Sequence, residues 1–230
     1  MSKTRLITGA NRGIGLEMTR QAVARGDNVI ACTRNALESP DLVALAKQHD
    51  SITVLGLDVC AETDMKQIAA GMKRPIDILV CNAGTLNSYG GLQAPDHDTA
   101  SIANVLMTNI AGVFFTARSF LPHILEGAPG KIAIISSIMG SQELADSNAP
   151  IYRASKAAAT NLARTMAVEL APQGVAVGAF HPGWVRTDMG GPQASTSPQD
   201  SAAGLLQRFD ALSLETTGMY EDFQGKKLLF

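Results

Sequence analysis

Thr8-Gly9-Ala10-Asn11-Arg12-Gly13-Ile14-Gly15 is the stretch from which the fold follows. A short apolar run, Arg5 to Thr8, leads into it, and an amphipathic run of about Gly13 to Arg25 leads out. The first has the length and composition of a buried strand and the second the period of a helix. Glycines at 9, 13 and 15 are spaced GxxxGxG. Glycine permits a tight turn and close approach of backbone to a ligand. The helix N-terminus then offers free N–H groups and the positive end of its dipole to a pyrophosphate. An ordinary strand-to-helix turn can also carry three glycines; the position between first strand and first helix favours phosphate binding.

Outward from this turn, apolar and amphipathic runs alternate. Strands are expected at Asn28 to Thr33, Ile52 to Leu57, Ile76 to Cys81, Lys131 to Ser136, Val175 to Phe180 and Gly218 to Phe223. Helices are expected at about Pro40 to Gln48, Ala61 to Met72, Ser101 to Leu125, Ala154 to Ala171 and Ser201 to Leu212. This alternation predicts an α/β fold, a doubly wound parallel sheet of about seven strands with helices on both faces. No repeat or linker divides residues 1–230, which read as a single domain. The Pro/Gly/Ser/Thr-rich stretch from Gly190 to Pro198 is the one expected mobile loop.

Composition narrows the function. The 230 residues are 46% hydrophobic with a formal net charge of −2, enough for a sizeable core and against disorder. No basic stretch accumulates, which argues against nucleic acid or an anionic membrane as partner. Cys32, Cys60 and Cys81 lie in or beside apolar runs without metal-ligand spacing and read as reduced core thiols; no metal site is expected. The N-terminal apolar stretch is too short for a signal peptide, and no run of about 18 apolar residues follows, so a cytoplasmic soluble protein is expected.

Two further features carry chemistry. Tyr152 and Lys156 stand at i and i+4 at the start of the long helix that reads as Ala154 to Ala171. Such positions share a helix face, so the ammonium can stabilise an ionised phenol and lower its pKa from about 10. A surface tyrosine beside a solvated lysine shows the same spacing. The second strand ends in Thr33-Arg34 without an acid to accept from a ribose 2′-OH. Arg34, with Arg12 in the glycine turn, could instead pair with a 2′-phosphate, which points to NADP(H) rather than NAD(H). Both arginines could also be solvated surface residues.

Taken together, these motifs resemble the short-chain dehydrogenase/reductase family over nearly the whole chain. The resemblance rests on TGxxxGIG at Thr8 to Gly15, Asp58-Val59, Asn82-Ala83-Gly84, Asn109, Ser136-Ser137, Tyr152/Lys156 and Pro182-Gly183-Trp184-Val185-Arg186-Thr187, in that order. The run His181 to Gly191 and the ending Gly218 to Lys226 are similar to the C-factor and sniffer-type carbonyl reductase branch. Cys81 stands where the family usually has a second Asn, a position structural there. Ser137 precedes Tyr152 by fifteen positions where many members have about thirteen, so Gly140 to Pro150 is expected to bulge. That spacing leaves Ser136 and Ser141 as alternatives to Ser137.

The resemblance implies a Rossmann-type fold and a role for each matching residue. Tyr152 would exchange a proton with a carbonyl oxygen, Lys156 would tune it and bond the nicotinamide ribose, and Ser137 would hydrogen-bond the substrate oxygen. Asn109 would hold a water linking Lys156 to solvent. The implied cofactor-binding residues are Gly9, Asn11, Arg12, Gly13, Ile14, Gly15, Thr33, Arg34, Asp58, Val59, Asn82, Ala83, Gly84, Tyr152, Lys156, Pro182, Gly183, Val185 and Thr187. Asp58 would accept from the adenine amino group or serve as a turn residue. Thr187 would contact the cofactor or cap a helix.

The substrate pocket is implied at Leu86 to Tyr89, Ile138 to Leu144 and Trp184 to Gln193, with Met139, Leu144, Trp184 and Met189 as walls. Arg153 and Arg186 are expected to face away, which suits a hydrophobic aldehyde or ketone. His97, His123 and His181 read as structural or exposed. The leading expectation is an NADPH-dependent carbonyl reductase acting on a small molecule. An NAD-dependent alcohol dehydrogenase and a non-catalytic NAD(P)-binding signalling protein are the alternatives. A homodimer or homotetramer is implied, with the two long helices as the shared face.

Overall fold

The computed structural model of this chain describes residues 2–127 and 129–230. Seven strands form one parallel sheet: β1 (Thr4–Thr8), β2 (Asn28–Thr33), β3 (Ile52–Gly56), β4 (Ile78–Cys81), β5 (Lys131–Ile135), β6 (Ala176–His181) and β7 (Tyr220–Asp222). Their order is β3-β2-β1-β4-β5-β6-β7. The chain builds outward from β1 to β3, then returns to pair β4 against β1 with Arg5 opposite Ile78. The reversal leaves a crevice beyond the C-terminal ends of β1 and β4, the usual ligand position in such sheets.

Among the described residues, seven α-helices cover the sheet: α1 (Gly13–Ala24), α2 (Pro40–Gln48), α3 (Glu62–Gly71), α4 (Thr99–Leu106), α5 (Gly112–Glu126), α6 (Pro150–Leu170) and α7 (Pro198–Ala211). Alternation along the strands sorts the core into two halves. Leu6, Ile30, Leu79, Ile134 and Val177 pack with residues of α3, α5 and α6. Ile7, Val29, Val80, Ile135 and Phe180 pack with residues of α1, α2 and α7. Cys32 and Cys81 are free and buried; Cys60 is free and half-buried. Burial pushes the Cys81 thiol up to about 12, which holds it in the inert protonated form.

Several boundaries depart from sequence expectation, some for local reasons. The helix expected at Ser101 to Leu125 starts earlier because the Asp98 carboxylate accepts from the Ser101 N–H at 2.7 Å. It is also interrupted: Met107–Ala111 forms one π turn between α4 and α5. The helix expected from Ala154 begins at Pro150, which suits a first-turn position because it has no N–H to satisfy. Tyr152 therefore lies within the helix. The last strand is only Tyr220–Asp222. By length and composition the continuous helical stretch Thr99–Glu126 could cross a membrane. Here Val105, Val113, Ala117, Phe120 and Ile124 of that stretch are buried within the fold.

The Gly190 to Pro198 stretch, expected to be mobile, is pinned at several points. Arg186 N–H donates to the Thr196 carbonyl at 2.9 Å and Thr196 N–H to the Trp184 carbonyl at 2.8 Å. Arg186 Nη1 reaches the Ala194 carbonyl at 3.0 Å.

Candidate active site

The turn between β1 and α1 is built for close approach. Gly9 and Gly13 have φ of 65° and 54°, which side chains rarely adopt. A Cβ on Gly9 would lie 3.0 Å from Ala83 Cα, one on Gly13 3.2 Å from Thr187 Cγ2, and one on Gly15 would collide with the Gly9 carbonyl. The β4 loop is stapled to the same turn: Asn82 Nδ2 donates to the Thr8 carbonyl at 2.8 Å and the Gly9 carbonyl at 3.2 Å. The Thr8 hydroxyl accepts from the Asn82 and Ala83 N–H groups, both at 3.0 Å. No side chain caps α1 and no acid stands in its first turn, which keeps the amides of Gly13, Ile14 and Gly15 and the positive helix end available to an anion. Asn11 is half-buried beside them.

The residues expected around an adenosine end differ in state. Arg34 is exposed at the end of β2 and has no ion-pair partner among the described residues. Thr33 is buried, its hydroxyl 3.3 Å from that of Ser39. Arg12 is paired with Asp188 at 2.9 Å, with both side chains largely exposed. The Asp58 carboxylate accepts from the Cys60 N–H at 2.9 Å, the geometry of a turn residue, and the side chain stays exposed. Val59 is buried against Gly112, so its side chain is not open to a ligand. Beyond β6, Pro182 accepts from the Ser201 hydroxyl at 2.6 Å, Gly183 has φ of 87°, and Val185 is buried. Thr187 ties its own loop by accepting from the Gly190 N–H at 3.2 Å.

Tyr152, Lys156, Ser137 and Asn109 come from α6, the end of β5 and the π turn, and all four are buried. Lys156 Nζ donates to the Ile135 carbonyl at 2.9 Å and lies 5.7 Å from the Tyr152 ring centroid. A Cβ on Gly84 would stand 3.3 Å from that Nζ and 3.4 Å from Asn109 Oδ1, so the β4 loop passes directly over both. The Ser137 hydroxyl sits beside the Tyr152 phenol and opposes the rise in its pKa. Ser136 Oγ instead donates to the Lys156 carbonyl at 3.0 Å and meets Thr160 Oγ1 at 2.6 Å, locking β5 to α6. Ser141 is buried, its hydroxyl without a partner among the described residues.

Electrostatics differ from the sequence expectation. Burial pushes the Tyr152 phenol up to about 12, with Tyr89 adding to the rise. The opposing influence is the Ser137 hydroxyl rather than the Lys156 ammonium. Burial itself brings Lys156 down to about 8. Desolvation penalises both charged forms, and it outweighs their proximity.

Asn109 differs too. Its Oδ1 accepts from the Thr85 N–H, and its Nδ2 donates to the Thr85 carbonyl, each at 2.8 Å. Nδ2 also reaches Ser155 Oγ at 2.9 Å, and Ser155 donates to the Tyr152 carbonyl at 2.7 Å. The side-chain amide thus positions the β4 loop and the first turn of α6. Ser155 was not among the residues singled out from the sequence; its one signal is a hydroxyl at i+3 from Tyr152, a spacing from which it can bond back to the helix carbonyl.

Around the mouth, Tyr89, Leu144, Trp184 and Met189 are the exposed large apolar side chains. Tyr89 donates to the Met189 carbonyl at 2.8 Å, joining the loops after β4 and β6. Arg153 is not free to meet a ligand: it donates to the carbonyls of Met139 at 3.3 Å, Leu144 at 3.0 Å and Asn148 at 3.0 Å. The extra length between Ser137 and Tyr152 is folded around this guanidinium. It ends at Ala149, held at φ 46° with its N–H on the Gly90 carbonyl at 3.0 Å. His97 sits 3.0 Å from Asn87 and His123 2.9 Å from the Ala69 carbonyl, both structural contacts.

Comparison with known proteins accords with this geometry. The family model described as short chain dehydrogenase matches residues 3–198. A protein named C-signal from Myxococcus xanthus is 37% identical over 155 residues, 67% of this chain and 92% of that protein. The carbonyl reductase Sniffer of D. melanogaster superposes with a TM-score of 0.92 at 28% identity, covering 100% of both chains. An NADPH-bound carbonyl reductase from chicken fatty liver superposes with a TM-score of 0.90 at 27% identity, covering 100% of this chain and 99% of its own.

Proposed function

This chain belongs to the short-chain dehydrogenase family, and from that premise we propose that it is an NADPH-dependent carbonyl reductase acting on a small hydrophobic aldehyde or ketone. The observation that carries the proposal is the convergence of Ser137, Tyr152, Lys156 and Asn109 beside the crevice between β1 and β4. The uncapped glycine turn fits a dinucleotide pyrophosphate, and Arg34 together with Arg12 suits a 2′-phosphate. The NADPH bound to the chicken relative supports that cofactor choice.

When bound, the nicotinamide cofactor supplies the hydride. The chain supplies the rest. Ser137 Oγ holds the substrate oxygen and stabilises negative charge as it develops there. Tyr152, kept neutral by burial, delivers its hydroxyl proton to that oxygen. Lys156, anchored on the Ile135 carbonyl, places a positive charge beside the phenolate left behind. Asn109 and Ser155 hold the first turn of α6 so that the phenol keeps its aim. The apolar rim of Leu144, Trp184 and Met189 favours a hydrophobic carbonyl, since Arg153 and Arg186 are committed to main-chain carbonyls.

The exposed apolar residues Leu106, Met107 and Phe114 of the α4–α5 stretch and Val168 of α6 support a homo-oligomer through these helices. The likeness to C-signal supports a second reading, a signalling protein that binds the cofactor without turnover.

The deciding experiment uses Tyr152→Phe. Loss of its hydroxyl should cut NADPH oxidation with a panel of aromatic aldehydes by about 10²–10⁴-fold while leaving NADPH affinity unchanged. A wild-type chain that binds NADPH and turns over no carbonyl or alcohol in the panel favours the signalling reading.

A further inference from the structure

β5 leaves the sheet just before its functional serine. The last ladder bond on its β6 side runs from the Ser136 N–H to the Phe180 carbonyl at 2.8 Å. Sheet pairing therefore does not set the conformation of Ser137, which is extended at φ −157° and ψ 144°. Two donors converge on its carbonyl instead. One is the Gly140 N–H at 2.8 Å, within the turn that follows. The other is the hydroxyl of Tyr220, 83 residues further along the chain, at 2.5 Å.

Both donors are rigidly held. Gly140 packs so closely on α6 that a Cβ there would stand 2.7 Å from the Ala157 nitrogen. Tyr220 is 3% exposed, lies on β7 opposite Ala179, and packs at a tilt against Phe230 with ring centroids 5.5 Å apart. Phe230 in turn lies under the Arg164 guanidinium at 4.1 Å. A phenylalanine would fill the same core volume, so the hydroxyl is the feature that volume does not explain. That hydroxyl donates to the Ser137 carbonyl and also lies beside the Ser136 side chain.

We propose that Tyr220 is a positioning residue for carbonyl reduction: its hydroxyl fixes the Ser137 main chain and so aims the Ser137 hydroxyl at the reacting oxygen. This rests on the reading of Ser137 given above. Without the Tyr220 bond, Gly140 alone holds the Ser137 carbonyl and the side chain gains rotational latitude. The Tyr152 phenol then loses the Ser137 hydroxyl as a neighbour part of the time.

The test is a double-mutant cycle in the full chain between Tyr220→Phe and Ser137→Ala. Tyr220→Phe keeps the ring and its contacts. It should lower kcat by about tenfold, the loss of roughly one hydrogen bond's worth of orientation. KM and the NADPH dissociation constant should stay within about twofold of wild type, the range left to residues that touch neither ligand. In the Ser137→Ala background the same change should cost less than about twofold, because the group it positions is gone. The alkaline pKa of alcohol oxidation should also move upward in Tyr220→Phe alone. Equal losses in both backgrounds, or a lowered melting temperature with unchanged kcat, would overturn the inference and leave the reading of Ser137 standing. An unimpaired Ser137→Ala would overturn both.

Discussion

Lys156 lies 5.7 Å from the Tyr152 ring centroid yet donates its hydrogen bond to the Ile135 carbonyl, at 2.9 Å. The lysine is thus anchored to the end of β5 and acts on the tyrosine through position and charge. Burial brings its pKa down to about 8 while Tyr152 rises to about 12. Of the two, only the lysine titrates near working pH. The proposed carbonyl reduction would need a neutral Tyr152 and a charged Lys156. Its kcat/KM should therefore be level below pH 8 and fall as pH rises through about 8. Lys156→Met should give a lower profile, by about 10²-fold, without that limb. A wild-type rate that climbs through pH 8 contradicts the assignment.

Arg12 and Asp188 make an exposed ion pair beside the phosphate-binding turn. Exposed pairs contribute about 0–1 kcal/mol, so Asp188→Asn should leave the melting temperature unchanged. It releases Arg12, and NADPH should then bind about two- to fivefold more tightly, within that same energy range. Arg34→Ala should weaken NADPH by about 10–100-fold, the range of a charge-assisted hydrogen bond, and leave NADH unchanged. Calorimetric titration with both nucleotides reads these effects. Equal wild-type affinity for NADH and NADPH would sink the role given to the two arginines.

His181 ends β6 with its Nδ1 buried and, among the described residues, without a partner. Burial lowers its pKa to about 4, and the nearby Asp222 only partly opposes this. The unfolded chain takes up this proton near pH 6.5 and the folded chain only near 4. Between those values the unfolded state holds more protons, so stability is full above 6.5 and is lost as pH falls towards 4. The slope from this residue is at most about 1.4 kcal/mol per pH unit. Urea denaturation across that window should show it, and His181→Asn should flatten it. An unchanged slope in the variant assigns the acid sensitivity elsewhere.

Much of this protein was legible in its residues because the determinants are local. Runs such as Asn28 to Thr33 read as strands from their own composition, and Gly9 and Gly13 of the first turn are demanded by their own positive φ. The Tyr152/Lys156 spacing is likewise a property of one helix. The π turn at Asn109 was not legible, nor was the commitment of its amide to Thr85 and Ser155, since those bonds join segments 24 and 46 residues apart. The choice among Ser136, Ser137 and Ser141 depended on which hydroxyl faces α6, which faces Tyr152 and which is left without a partner. The pKa values of Tyr152 and Lys156 followed from burial, which spacing cannot express. The sequence by itself determined the alternation of strands and helices and the glycine-rich turn, and it proposed the residues that could react. Tertiary structure alone decided their orientation and charge, because both depend on desolvation and on partners far away in the chain.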